Sequence, residues 1–344
     1  MERLATSRQP DLTTHYAGLT LRNPIVASPS PENAHLSWLR RLDAAGIGAV
    51  VLPSLFQEQV EAQEHAVSAI LAQAQDNNPE AQSYLPPSVT GPYGVGPEEY
   101  LALIRNAKEA LSVPVIASLN GSSVAGWVEY AAEMERAGAD ALELNIYYVP
   151  VDITQSGEEI EARYLRVLEA VRKQVKLPVI VKIPPFFSSV GHMAARLVAA
   201  GANGLVIFNR YIQPDIELGR LRLSRRLELS GPAEIRLPLL WTAVLAGRVE
   251  CSLAASSGVE GPDEVVKFLL GGADVVMTTS ALLRHGPEHV TVLRDGLSDW
   301  LSARGLASVS RIRGVMSKAR LREPGAYERA NYIRLIETYS AEHG

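Results

Sequence analysis

Apolar residues in this chain come in short blocks, and four blocks share one form, a glycine step running into a brief apolar stretch. They are Ala45-Gly46-Ile47-Gly48-Ala49-Val50-Val51-Leu52, Ala137-Gly138-Ala139-Asp140-Ala141-Leu142-Glu143-Leu144, Ala200-Gly201-Ala202-Asn203-Gly204-Leu205-Val206-Ile207 and Gly271-Gly272-Ala273-Asp274-Val275-Val276-Met277-Thr278. Glycine at a helix end supplies a left-handed cap, and a short apolar run behind it suits a strand covered on both faces. A second form, Leu111-Ser112-Val113-Pro114-Val115-Ile116 and Val175-Lys176-Leu177-Pro178-Val179-Ile180, ends a helix and opens a strand with proline. Strands are predicted near 25–28, 49–53, 115–119, 141–145, 179–183, 205–208, 251–255 and 275–278, most followed by amphipathic helical sequence. Eight such units close a (βα)8, or TIM, barrel of the α/β class. Pro114 to Asn145 also matches Pro178 to Asn209 at an offset of about 64 residues, as two unit pairs with one structural job would. The rival, an open doubly wound sheet, needs a glycine-rich turn after the first strand, and Val26-Ala27-Ser28-Pro29-Ser30-Pro31 is not one.

Connections of about 54–97, 146–160 and 209–232 exceed the usual loop, and each follows a strand, so each is expected on the catalytic face. In the third, leucines 218, 221, 223, 227 and 229 alternate loosely with arginines 220, 222, 225 and 226, the pattern of a short rim hairpin with a solvated basic face. The whole chain, 1–344, reads as one domain with an N-terminal extension. The barrel core covers about 19–290 and a helical tail about 291–344. Apolar positions between Ala326 and Tyr339 pack on the barrel or on a second copy, which leaves a homodimer open.

Composition narrows the function. Of 344 residues 47% are hydrophobic and 21% charged, which excludes general disorder. The 33 basic and 38 acidic side chains give a net charge of −5, so no overall field attracts nucleic acid or an anionic membrane. The longest apolar run, near Leu237 to Ala246, is too short to span a bilayer. A single cysteine, Cys251, excludes an internal disulfide and a thiolate cluster and fits a cytoplasmic protein; it reads as a small core residue. His285 and His289 are separated by Gly286-Pro287, a helix start, which argues against a metal pair. Trp38, Trp127, Trp241 and Trp300 read as helix packing residues.

Polar residues gather where the strands end: Ser28, Ser54, Ser118 with Asn120, Asn145, Lys182, Asn209 with Arg210, Ser256 with Ser257, and Thr279 with Ser280. Such a ring suits a ligand with many hydrogen-bonding edges. Ser256-Ser257-Gly258 and Thr278-Thr279-Ser280 follow strands seven and eight, the common phosphate site of barrels; helix capping is the plainer reading. Lys182 at a strand end suits a Schiff-base nucleophile, an anion clamp, the cation beside a reduced flavin, or a structural ion pair.

Together these motifs resemble the dihydroorotate dehydrogenase family, specifically its soluble branch of FMN-dependent barrels, over about Leu19 to His285. The resemblance rests on Leu21-Arg22-Asn23-Pro24-Ile25-Val26-Ala27-Ser28, Glu143-Leu144-Asn145, Val181-Lys182-Ile183-Pro184-Pro185-Phe186, Leu229-Ser230-Gly231-Pro232, and the Ser257-Gly258 and Thr279-Ser280 turns. It implies that Lys182 and Asn145 face the flavin ring, that Ser28, Ser54 and Ser118 lie along it, and that Gly231, Ser257, Gly258, Thr279 and Ser280 surround its phosphate. It also implies a small-molecule substrate and leaves open a separate electron-transfer protein, since the chain lacks iron-sulfur cysteines.

Four departures bear on chemistry. The loop after strand four reads Asn145-Ile146-Tyr147-Tyr148-Val149-Pro150, with Tyr148 where the family keeps a Cys or Ser base and Pro150 where it keeps an asparagine. Strand two ends Pro53-Ser54 rather than Lys-Ser, strand six is followed by Asn209-Arg210 rather than Asn-Ser, and Ser257-Gly258 replaces Gly-Gly. Tyrosine, with an ordinary pKa of ~10, is a poor base for a carbon acid but a good general acid. The expectation is an oxidoreductase acting on a carbon–carbon bond beside a carbonyl or carboxylate and favouring reduction. In it Tyr148 or Tyr147 donates a proton while Asn209 and Arg210 hold the substrate. Three alternatives stand beside it: dihydroorotate oxidation in pyrimidine (UMP) biosynthesis, a non-catalytic flavin- or phosphate-binding barrel, and an aldolase using Lys182.

Overall fold

A computed structural model describes residues 9–56, 97–120, 124–211, 214–224, 227–327, 333, 337 and 338. The chain enters through an antiparallel hairpin of β1 (Thr14–Tyr16) and β2 (Leu19–Leu21), turned by Ala17 and Gly18, both at positive φ. The first barrel strand is β3 (Ile25–Ala27), followed by α1 (Leu36–Ala45), β4 (Ala49–Phe56), α2 (Pro97–Ala110), β5 (Val115–Asn120), α3 (Val124–Arg136) and β6 (Ala141–Asn145). The second half runs α4 (Gly157–Arg172), β7 (Val179–Ile183), α5 (Val190–Ala199), β8 (Gly204–Ile207), the hairpin β9 (Ile216–Glu217) with β10 (Arg222–Leu223), α6 (Arg236–Leu245), β11 (Ser252–Ala255), α7 (Pro262–Gly271), β12 (Val275–Thr278), α8 (Ser280–His285) and α9 (His289–Ser302).

The eight predicted strands form a closed barrel in the order β3-β4-β5-β6-β7-β8-β11-β12, and β12 pairs in parallel with β3. The expected (βα)8 fold is present, with strand ends within a residue or two of expectation except in β4. That strand runs on to Phe56 through a register shift between Val51 and Ser54. Pro53 lies within the shift; lacking an amide hydrogen it cannot continue a ladder, and the bulge turns Ser54 to face Ser118.

Alternation along each strand divides the core in two. Val26, Ala49, Val51, Ile116, Ala141, Ile180, Val206, Ala254, Val275 and Met277 fill the barrel, closed at its N-terminal end by Tyr16 and Leu21 of the entry hairpin. The other strand faces pack under the helices, where Trp127, Tyr100, Tyr164 and Phe268 are fully buried. Gly46 and Gly272 sit at positive φ as the left-handed caps of α1 and α7. Cys251 precedes β11 and packs against the core, where burial pushes its thiol up to about 12.

Helix α9 contacts α1 and α7 and completes the outer ring, so the barrel runs past the boundary near 290 that the sequence suggests. Beyond it the chain crosses the N-terminal face: the amides of Gly314, Met316 and Lys318 donate to Leu269, Leu270 and Ala243, among the last carbonyls of α7 and α6. Most of the expected apolar face between Ala326 and Tyr339 lies outside the described residues, as does the first long connection beyond Phe56. The rim hairpin exists, with Arg220 and Arg222 both on Glu217; Arg225 and Arg226 lie outside the described residues.

A close approach at the start of β4 gives a test of the register. A Cβ on Gly48 would lie 2.2 Å from the carbonyl oxygen of Asn23 and 2.9 Å from that of Ile25, which accepts the Gly48 amide. Neither backbone atom can withdraw without opening the β3–β4 seam. Gly48→Ala is expected to cost about 2–3 kcal/mol, measured by denaturant unfolding; an unchanged midpoint would refute this packing.

Candidate active site

The C-terminal strand ends open into a cleft of two joined cavities. The inner one, about 160 Å³, is lined by Ser28 and Lys182 together with Ser257, Gly258, Thr279 and Ser280, and Thr279 Oγ1 donates to the Ser28 carbonyl at 3.1 Å. The outer one, about 980 Å³, shares Phe208, Asn209, Arg210 and Ser257 with it and extends over Phe186, Tyr211 and the rim hairpin to α6.

Lys182 is buried because period two along β7 places it inward above Ile180. Its Nζ lies 3.4 Å from Ser28 Oγ. The inner cavity is otherwise lined by hydroxyls, amides, a few apolar side chains and, where it joins the outer one, Arg210, so an anionic or electron-rich edge beside Ser28 meets the Lys182 ammonium.

Around Ser257 and Gly258 the backbone makes the site. Ser257 and Gly258 both have positive φ, at 77° and 74°. A Cβ on Gly258 would lie 2.6 Å from the carbonyl oxygen of Gly231 and 2.9 Å from Ile235, so only glycine fits. Gly231 itself does not line the cavity, but its neighbour Ser230 does. Ser230 Oγ accepts from the Gly258 amide at 3.2 Å and is 2.9 Å from Ser280 Oγ. Arg284 fixes that loop, donating to the carbonyls of Leu229 and Ser230 at 2.9 Å each. Glu260 orients Arg284 and also meets His285; partial burial raises this carboxyl, but the bonds from His285 and Arg284 hold it below the ordinary carboxylate range. His289 reaches the Glu260 carbonyl.

Polar side chains from neighbouring strands also connect, starting from Asn209 of the cavity wall. Asn209 Nδ2 donates to Asn145 Oδ1 at 2.6 Å, and Asn145 Nδ2 to Ser54 Oγ at 3.0 Å. Ser54 and Ser118 are 2.8 Å apart at their hydroxyls, and Ser118 Oγ lies 3.4 Å from Glu143 Oε1. The structure thus joins Ser54, Ser118, Asn145 and Asn209, which the sequence reading names singly, into one network, though of these only Asn209 lines the cavities. That reading assigns no role to Ser230 or Glu143. Glu143 was recoverable, since it stands two residues before Asn145 on one strand and must share its inward face. Ser230 was not, because only the folded loop carries it across to Gly258.

Two other predicted residues have partners of their own. Arg210 pairs with Glu234 at 2.8 Å and donates to the Glu228 carbonyl. Tyr148 donates to Gln155 at 2.7 Å, lies under the guanidinium of Arg163, and lines neither cavity. Tyr147 packs on Tyr211, a cavity residue whose hydroxyl bonds the Tyr148 carbonyl and is raised in pKa chiefly by burial. None of the described helices is long and apolar enough to cross a membrane.

A buried lysine and a glycine-dependent hydroxyl turn lining one cleft, both on strand ends of a closed barrel, define a barrel enzyme with its site on the C-terminal face of the strands. Comparison narrows the class. A family model described as dihydroorotate dehydrogenase matches residues 67–301. A chain described as dihydroorotate dehydrogenase A (fumarate) from Aeropyrum pernix is 26% identical over 90% of this chain and 99% of its own length. The catalytic subunits of dihydroorotate dehydrogenase B (NAD(+)) from Desulforudis audaxviator and Pyrococcus abyssi are each 27% identical, covering 87% and 89% of this chain and 95% and 99% of their own. The chain belongs to the dihydroorotate dehydrogenase family, a group of oxidoreductases acting on CH–CH bonds.

The Ser257-Gly258 turn allows a stability test. Ser257 holds a left-handed conformation that a Cβ disfavours by roughly 1–2 kcal/mol. Ser257→Gly is therefore expected to raise the thermal midpoint of the purified protein; a lower midpoint would show that the Ser257 side chain contributes more than its backbone costs.

Proposed function

We propose that this protein is an FMN-dependent oxidoreductase acting on a carbon–carbon bond beside a carbonyl or carboxylate, favouring reduction. The carrying observation is that Lys182 and the Ser257-Gly258 and Thr279-Ser280 turns line one cavity. Donor chemistry fits FMN: hydroxyls and close backbone suit a phosphate, and a buried ammonium suits the electron-rich pyrimidine edge. Ser28, Asn145, Ser54 and Ser118 would lie along the ring, and Gly231 would shape the phosphate turn beside Gly258.

FMN, when bound, supplies the hydride. The protein's own residues do the remaining work. Lys182 holds the negative charge at the ring edge, and Asn209 and Arg210, shared by both cavities, hold a substrate carboxylate or carbonyl. That carboxylate competes with Glu234 for the Arg210 guanidinium. Tyr148 turns from Gln155 to give its proton to the neighbouring carbon, while Tyr211, on which Tyr147 packs, lines the approach.

Oxidation of dihydroorotate is the second reading, favoured by the names of the relatives. Several of those are catalytic subunits, which supports a separate electron-transfer chain as partner here. We place the enzyme in the cytoplasm.

Reconstitution with FMN is expected to give a yellow protein, and Gly258→Ala to lower FMN affinity at least tenfold by fluorescence titration. A wild-type chain that takes up no FMN overturns the reading. Tyr148→Phe should slow single-turnover oxidation of the reduced protein by a substrate about 100-fold, the ordinary scale of general-acid catalysis; an unchanged rate removes Tyr148 as donor. Rapid anaerobic bleaching by dihydroorotate would favour the second reading.

A further inference from the structure

Within the barrel, below the cleft, is a carboxylate that the mechanism above leaves unused. Glu143 is fully buried, and its Oε2 has no hydrogen-bond partner among the described residues. The titratable groups facing it are Lys182 on β7, Tyr100 on α2 and Tyr16 on β1. Tyr16 also faces Asp274, which is itself paired with Arg313. Burial raises the Glu143 carboxyl above its ordinary range, while Lys182 and the Ser118 hydrogen bond pull it part of the way back.

The polar network beside it has a direction. Amide nitrogens of Asn209 and Asn145 can only donate, so Ser54 accepts from Asn145 and has its own hydrogen for Ser118, which has one for Glu143. Every donor in the row points toward an ionised Glu143. A protonated Glu143 can donate instead and reverse both hydroxyls. Ser118 and Ser54 therefore form a path along which a proton can pass between the half-buried Ser54 and the buried carboxylate.

We infer that Glu143 is a positioning residue that balances charge for the flavin, taking up a proton through Ser54 and Ser118 when the ring beside Lys182 is reduced. The inference rests on the FMN reading. Before reduction the ring is neutral and the charges of Lys182 and Glu143 cancel. Two electrons and one proton from a CH–CH substrate or another two-electron donor leave the ring with one negative charge, which Lys182 answers. Glu143 would then be a buried, uncompensated anion. A second proton, bound by Glu143 with no other bond changed, restores neutrality; reoxidation releases it.

The test is a potentiometric titration of the FMN-loaded protein with dithionite over the neutral pH range. Each proton taken up with two electrons lowers the potential by about 30 mV per pH unit. In wild type the slope is expected to double where Glu143 is ionised in the oxidised protein and protonated in the reduced one, and to return to the single value on either side. Glu143→Gln should keep the single slope throughout, with a potential above wild type at the alkaline end and converging with it at the acid end. A doubled slope that persists in Glu143→Gln overturns the inference. So does a single slope across the range in wild type, a result that needs no variant to fold. Failure of wild type to bind FMN is seen first, in the absorption spectrum; it removes the functional reading and this inference with it.

Discussion

A closed parallel barrel sends every second side chain of each strand inward, and the rest of this structure follows from how that interior is filled. The lower part is apolar and sealed by Tyr16 and Leu21, which makes closure favourable. The upper part is polar: Ser28, Ser54, Ser118, Glu143, Asn145 and Lys182 all point into or above the same space. Polar groups in such a place must find partners, and strand geometry supplies them from neighbouring strands rather than from neighbours in sequence. The network from Asn209 to Glu143 is the result.

Glu143 and Lys182 are the costly members of this interior. Either alone would carry a large desolvation penalty, and together they attract through space. An arrangement that left both charges in water would be the cheaper way to build a barrel. Their retention at the base of a cleft is understandable where a ligand's charge changes there, because a low-dielectric site makes each fixed charge count for more. The Ser257-Gly258 turn of the same cleft is built by other means, from backbone held by Ser230 and Arg284. Lys182 acts there by charge and the turn by shape.

Much of this was legible in residues alone. Glycine and proline punctuation located the eight strands, because helix ends need left-handed caps and proline cannot continue a helix. The polar strand ends named Ser28, Lys182, Asn209, Ser257 and Thr279 as cleft residues. Illegible were the bulge at Pro53, which sends β4 on to Phe56, and the hairpin that plugs the barrel. So too were the partners of Arg210 and Tyr148, since Glu234 and Gln155 reach them only through the folding of connections whose course no local preference dictates.

By itself the sequence determined the architecture and the chemical character of each strand end, because period, caps and turns are local and short-ranged properties of the chain. Only the tertiary structure decided which of those polar residues touch. Ser54 to Ser118, Asn145 to Asn209 and Ser230 to Gly258 are contacts across 64, 64 and 28 positions of sequence. They exist because barrel closure sets the register between strands, and register is a property of the sheet as a whole.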